Sequence, residues 1–281
     1  MKFTKMHGLG NDFIVLDWRQ NPRAMTPELA GFLAHRQLGI GCDQVIILLP
    51  PTQQGADLKM RIFNPDGSEV GLCGNAARCV VGLMQRPCVI ETFSGLFPGW
   101  LHEDGRATVD MCKPKWGWQE VPLACATDTQ HVIVEGLDVP AGIAMNVGIP
   151  HIVFLVENTK AVPLNEIGPL VEHHQLFPER INVNFMEVKG PCNLVMRVWE
   201  RGTGPTLACG TGATACFVAA RAKGMCAANA EVHMPGGTLL IGEDLDGRVT
   251  QTGEWTKVYE GEIDVSRICA ETADAGRMAA L

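Results

Sequence analysis

Two stretches stand out in the distribution of apolar and polar positions: residues 76–84 and 213–220 run through small and apolar side chains. Cys216, Phe217, Val218, Ala219 and Ala220 leave no polar face, the pattern of a helix buried on all sides rather than lying on a surface. Around these two helices the chain is made of short apolar runs separated by Gly-, Pro- and Asn/Asp-rich turns. Such runs predict strands at 13–16, 45–49, 58–63, 106–111, 131–135, 152–156, 183–188, 194–199, 238–241 and 248–252. Only 27–36 and 164–174 read as further helices, and 256–263 reads as a strand that can join either half. A buried helix needs strands wrapped around it. The expected fold is therefore α+β, each half a mostly antiparallel sheet around one central helix.

The halves are related. Met60-Arg61-Ile62-Phe63-Asn64, followed by Cys73-Gly74, recurs as Met196-Arg197-Val198-Trp199-Glu200, followed by Cys209-Gly210. Upstream, Gly10, Ile14, Val15, Gln44 and Val45 fall opposite Gly148, Ile152, Val153, Asn182 and Val183; downstream, Gly105, Arg106 and Thr108 fall opposite Gly247, Arg248 and Thr250. Matches that keep their order over a whole half mark an internal repeat. Two pseudo-symmetric halves follow, residues 1–118 carrying Cys73 and 119–255 carrying Cys209, with the active site in the cleft between them. Residues 256–263 return to one half, and 264–281 read as an extra, mobile tail.

The chain has 281 residues, 46% of them apolar and 19% charged, the make-up of a globular protein. A net charge of −8 argues against a nucleic-acid surface, and no apolar run is long enough to span a membrane. The opening segment lacks the apolar stretch of a secretory signal, so the expected compartment is the cytoplasm and the eleven cysteines are expected to be free thiols. No Cys or His spacing typical of a metal site occurs, and no metal is expected.

Cys73 and Cys209 each precede a Gly that opens a central helix. The free N–H groups and partial positive charge of a helix start favour a thiolate there, which predicts lowered pKa values. The same N–H groups, at Gly74-Asn75-Ala76 and Gly210-Thr211-Gly212, suit a carboxylate held between the helices. Two acid–base groups facing one carbon from opposite sides point to racemisation or epimerisation, one thiolate removing a proton and the other thiol supplying one. The other nine cysteines read as packing residues.

At these residues the chain closely resembles the diaminopimelate epimerase family. The resemblance rests on residues 5–13 (Lys-Met-His-Gly-Leu-Gly-Asn-Asp-Phe), 39–44 (Gly-Ile-Gly-Cys-Asp-Gln), 63–68 (Phe-Asn-Pro-Asp-Gly-Ser), Cys73-Gly74-Asn75, 148–151 (Gly-Ile-Pro-His), 177–182 (Phe-Pro-Glu-Arg-Ile-Asn), Glu200-Arg201-Gly202 and 208–213 (Ala-Cys-Gly-Thr-Gly-Ala). It implies an isomerase independent of pyridoxal phosphate that converts LL-diaminopimelate to the meso form, a precursor of lysine and cell wall. By resemblance Cys73 and Cys209 move the protons, while His151 and Glu200 tune the thiols. Asn11, Gln44, Asn64, Asn75, Asn182, Glu200 and Arg201 hold the substrate, with the backbone at Gly74, Gly210 and Thr211. The family also implies no cofactor and a homodimer.

Such a substrate, with an amino-acid group at each end, needs acceptors for two ammonium groups and donors for two carboxylates. Asn64, Asn182 and Glu200 supply acceptors, and Arg201 a planar fork for the distal carboxylate. The sequence departs from the family at Ala76, where Gly is usual, at Ile149, where many members have Asn, in a shortened stretch between Cys79 and Ile90, and in the tail. Competing readings are a proline-racemase-like or phenazine-isomerase-like enzyme for another small acid, an inactive amino-acid-binding homologue, and a hydrolase pairing one cysteine with His151.

Overall fold

One order of elements occurs twice in the computed structural model, which describes residues 1–111 and 113–266. The first copy runs β1 (Lys2–Gly8), β2 (Asn11–Asp17), α1 (Pro27–Ala34), β3 (Gln44–Leu49), β4 (Leu58–Phe63), β5 (Glu69–Val70), α2 (Gly74–Met84), β6 (Cys88–Thr92), β7 (Gly95–Leu101) and β8 (Ala107–Asp110). The second runs β9 (Gly142–Asn146), β10 (Pro150–Leu155), α3 (Leu164–Glu172), β11 (Asn182–Gly190), β12 (Asn193–Glu200), β13 (Gly204–Pro205), α4 (Gly210–Ala222), β14 (Asn229–Met234), β15 (Gly237–Glu243) and β16 (Val249–Gly253). A final strand, β17 (Thr256–Glu262), follows.

Strand pairing repeats as closely as the order. β2–β3 and β10–β11 are parallel, as are β4–β6 and β12–β14; the remaining neighbours within each half are antiparallel. Register repeats too: Phe13 faces Gln44 where His151 faces Asn182, and Val45 faces Phe63 where Val183 faces Trp199. The equivalent strands β8 and β16 pair antiparallel with each other, Asp110 opposite Thr250, as a pseudo-two-fold axis between them requires. β17 crosses to the first half and pairs with β1, Lys2 opposite Glu262. On the matching edge of β9, Lys115 bridges Asn146 and Val132 bridges Gly142.

The wrapped helices are buried as their composition predicts: every residue from Gly74 to Gly82 in α2 and from Gly210 to Ala220 in α4. Small side chains let the sheets close in. At Gly99 in β7 an added Cβ would lie 2.3 Å from Val81 of α2, so only glycine fits that crossing. Separate apolar cores surround α2 and α4, and α1 and α3 cover the outer faces with cores of their own.

Several expectations change. No strand forms over 131–135: His131, Ile133 and Glu135 are exposed, Val132 and Val134 are buried, and only Val132 bridges a neighbour. The alternation there belongs to an extended edge that packs on one side without joining a ladder. α2 begins at Gly74, where the Cys73-Gly74 pair sets the helix start, and Ala76 lies inside it, where no positive φ is needed. α2 has 11 residues against 13 in α4, and its early exit is marked by Gln85 in the left-handed region at φ 54°. Beyond residue 266 the expected mobile tail lies outside the described residues.

Candidate active site

The chain enters α2 through Cys73 and α4 through Cys209, each in extended conformation (φ −139° and −125°), so each sulfur leaves the chain at a helix start. The two starts meet at one side chain. An added Cβ on Gly74 would lie 2.6 Å from Gln251 Oε1, and one on Gly210 would lie 2.7 Å from the same atom. Above this point opens a cavity of about 350 Å³. Its walls include Asn11, Gln44, Asn64, Cys73, Gly74 and Asn75 from the first half. The second half contributes Asn182, Glu200, Arg201, Cys209, Gly210 and Thr211.

The thiols differ in their bonding. Cys73 Sγ donates to Asn11 Oδ1 at 3.6 Å, whereas Cys209 Sγ accepts the Gly212 N–H at 3.3 Å and lies 3.4 Å from Thr211 Oγ1. The expected lowering of their pKa values is overturned. Burial pushes Cys73 up to about 12, opposed by the N–H groups of Ala76 and Asn75 and by Arg78, and reinforced by Glu200. Cys209 is also pushed well up, first by burial and then by Glu200 beside it. Helix-start N–H groups do pull downward here, but loss of water around the sulfur outweighs them. Glu200 itself is raised, because it is buried, against hydrogen bonds from Thr206 and Cys209.

Asn11 owes its place to a two-residue hairpin turn in which Leu9 and Gly10 both have positive φ. Its orientation is set by Asp43, whose Oδ2 accepts from Asn11 Nδ2 at 3.0 Å and leaves Oδ1 facing Cys73 and the Asn75 amide, 3.2 Å away. Asp43 is held by Arg36 at 2.7 Å, and Arg36 and Lys5 hold Asp12 at about 2 despite its burial. Gln44 Nε2 donates to Asn64 Oδ1 at 3.0 Å. Asn182 donates to the Pro150 carbonyl at 2.8 Å and accepts the Arg201 N–H at 3.0 Å, which leaves its Oδ1 one further lone pair.

His151 is the predicted site residue that does not reach the cavity wall. It is fully buried on β10, with Nδ1 3.1 Å from Asn184 Nδ2 and Nε2 without a partner. Burial, then the nearby Arg201 charge, pushes its pKa down to about 3, so its ring is neutral. Asp43, Thr206, Arg78 and Gln251 escaped the sequence reading. Asp43 stood in a matched stretch as a neighbour of Gln44, and nothing local marked the other three.

Among the described residues no lysine lines the cavity and no group of three or more His, Cys, Asp or Glu side chains is placed to hold a metal. Nor is any described helix long and apolar enough to cross a membrane.

Two helix starts meeting at one side chain within a duplicated, sheet-wrapped fold place the chain in a class of two-halved α+β proteins with several solved structures. A probable proline racemase from Agrobacterium radiobacter K84 superposes with a TM-score of 0.69 at 16% identity, over 94% of this chain and 93% of that one. A hydroxyproline epimerase from Agrobacterium vitis, with trans-4-hydroxy-L-proline bound, gives 0.69 at 18% identity over 94% and 90%. At such identities the likeness is one of fold. The family profile for diaminopimelate epimerase matches residues 3–117 and 143–258, one stretch in each half. The diaminopimelate epimerase of Zymomonas mobilis is 49% identical over 262 residues, 93% of this chain and 97% of that protein; the one from Rhodospirillum centenum is 44% identical over 267 residues, 93% and 92%. This chain belongs to the diaminopimelate epimerase family and is an isomerase.

Proposed function

We propose that this enzyme interconverts LL- and meso-diaminopimelate, on the route to lysine and cell wall, by proton transfer between Cys73 and Cys209. The observation that carries this reading is the opening of both sulfur-bearing helix starts onto one cavity. One thiolate takes the α-proton: a C–H bond breaks, an S–H bond forms, and the electron pair passes into the α-carboxylate. The opposite thiol then gives its proton to the other face, breaking S–H and forming the new C–H. No electrons are lost or gained overall, and the two sulfurs end with their protonation states exchanged.

Charge gathering on the α-carboxylate is met by the N–H groups of Gly74, Asn75, Gly210 and Thr211, with the positive ends of two helices behind them. Burial raises both thiols, so forming the thiolate costs about 1.4 kcal/mol for each pKa unit, and the N–H groups of the helix starts offset part of that cost. At the far end of the substrate Arg201 takes the carboxylate, and Glu200, Asn64 and Asn182 accept from its ammonium groups. The chemistry asks for no pyridoxal, the protein works in the cytoplasm, and the family resemblance favours a homodimer, which light scattering would count.

Chiral chromatography of products is the test. Cys73→Ala and Cys209→Ala should each lower inversion of diaminopimelate at least about 100-fold, the scale of a lost acid–base group. Normal inversion in either variant removes that cysteine from the mechanism; inversion of proline or hydroxyproline with diaminopimelate untouched overturns the substrate.

A further inference from the structure

Arg78 stands on α2, one turn beyond Cys73, and is completely buried. Its Nη1 donates to Gln251 Oε1 at 2.7 Å and its Nη2 to Asn75 Oδ1 at 2.6 Å, while Nε has no partner. Both acceptors are neutral amides, and among the described residues no carboxylate lies within ion-pair distance of it. An unopposed buried charge is costly, and packing alone does not call for one.

The repeat supplies a control inside the molecule. Arg78 has Thr214 as its counterpart on α4, and Thr214 Oγ1 accepts from the other end of the same amide, Gln251 Nε2, at 3.1 Å. A neutral side chain is therefore enough to hold Gln251. What Arg78 adds is charge, placed beneath the floor where both helix starts touch Gln251.

We propose that Arg78 is a positioning residue whose buried charge, acting through Asn75 and Gln251, favours the Cys73 thiolate and the negative charge that gathers on the substrate α-carboxylate. This rests on the two-thiol reading above. Arg78 and Cys73 act on each other electrostatically, and the titratable groups facing Arg78 are Cys73 and Cys79 on its own helix. From the other half, Glu200 on β12 faces Cys73 and opposes Arg78. Burial lowers Arg78 to about 10, which leaves it cationic at neutral pH.

The experiment follows the rate of Cys73 alkylation by iodoacetamide between about pH 7 and 9, where Arg78 is charged, by mass spectrometry, beside kcat and KM for diaminopimelate. Arg78→Met should move the Cys73 profile up by about one pH unit and lower kcat about tenfold, with a smaller change in KM. Arg78→Lys should restore most of both, and Thr214→Val should leave the Cys73 profile where it is. A folded Arg78→Met enzyme with unchanged profile and kcat overturns the proposal. If Arg78→Met does not fold, Arg78→Gln decides: an upward shift of the Cys73 profile supports the charge, and an unchanged profile overturns it. Cys73→Ala and Cys209→Ala enzymes run alongside separate the two claims, because their survival would sink the two-thiol reading while the alkylation profile still reports on Arg78.

Discussion

Asn64 and Glu200 hold equivalent places in the two halves, each directly after the residue that pairs with the neighbouring strand, Phe63 with Val45 and Trp199 with Val183. Both line the cavity. The backbone repeats there, but the chemistry does not: an amide stands on one side and a carboxylate on the other, against Cys209. A symmetric scaffold thus holds two thiols in unequal surroundings, which suits a substrate whose two faces are presented to different groups.

Replacing Glu200 by Gln removes a charge that raises Cys209. A neighbouring anion disfavours a thiolate, so its loss lowers the pKa of Cys209 and alkylation of that residue should begin at lower pH. Mass spectrometry across a pH series checks this. Activity should fall as well, since an acceptor for a substrate ammonium group is weakened; an unmoved or upward-moved Cys209 profile contradicts the account.

Ile149 lines the cavity at the position matching Asn11. Ile149→Asn gives that wall an amide, and one added neutral hydrogen bond, at about 1 kcal/mol, should lower KM for diaminopimelate roughly fivefold with little change in kcat. Steady-state kinetics decide; an unchanged or higher KM means the second wall makes no contact with substrate there.

His151 ties stability to pH. Its folded pKa of about 3 lies below the ordinary histidine value, so between the two the unfolded chain binds a proton that the folded chain does not. Stability is then lost as pH falls below about 6.5, by up to roughly 1.4 kcal/mol per pH unit. His151→Phe, which copies the equivalent Phe13, should lose less stability between neutral and mildly acidic pH in urea titrations. Equal losses in parent and variant would show that His151 is not the group responsible.

Much of this was legible in the sequence for reasons that are local. Residues 213–220 are apolar on every side, and that alone marks α4 as buried; the spacing from Asn64 to Cys73 and from Glu200 to Cys209 exposes the repeat. β7 went unread because Gly95, Pro98 and Gly99 interrupt its apolar pattern although its backbone still pairs with β6. At the site, Arg78 and Gln251 were invisible because they lie 173 positions apart and meet only when the halves close together. The sign of the thiol shifts was misread for a related reason: a helix start is visible in sequence, whereas the exclusion of water from its sulfur depends on both halves.

Treatment with a thiol oxidant such as diamide in the absence of substrate should join Cys73 to Cys209 and stop turnover, since the two helix starts touch one amide. Dithiothreitol should restore activity, and bound diaminopimelate should protect. A disulfide requires Cα atoms within about 7 Å, so the cross-link doubles as a ruler. Inactive, oxidised protein in which peptide mapping finds both thiols free would count against their facing each other.

The most direct test of two thiols working on opposite faces is turnover of LL-diaminopimelate in deuterium oxide, stopped early and read by mass spectrometry. Two separate bases predict meso product carrying deuterium at the inverted carbon, while recovered LL substrate stays unlabelled. Product that retains the original hydrogen, or substrate that gains deuterium as fast as product forms, would show a single base working on both faces and contradict the account.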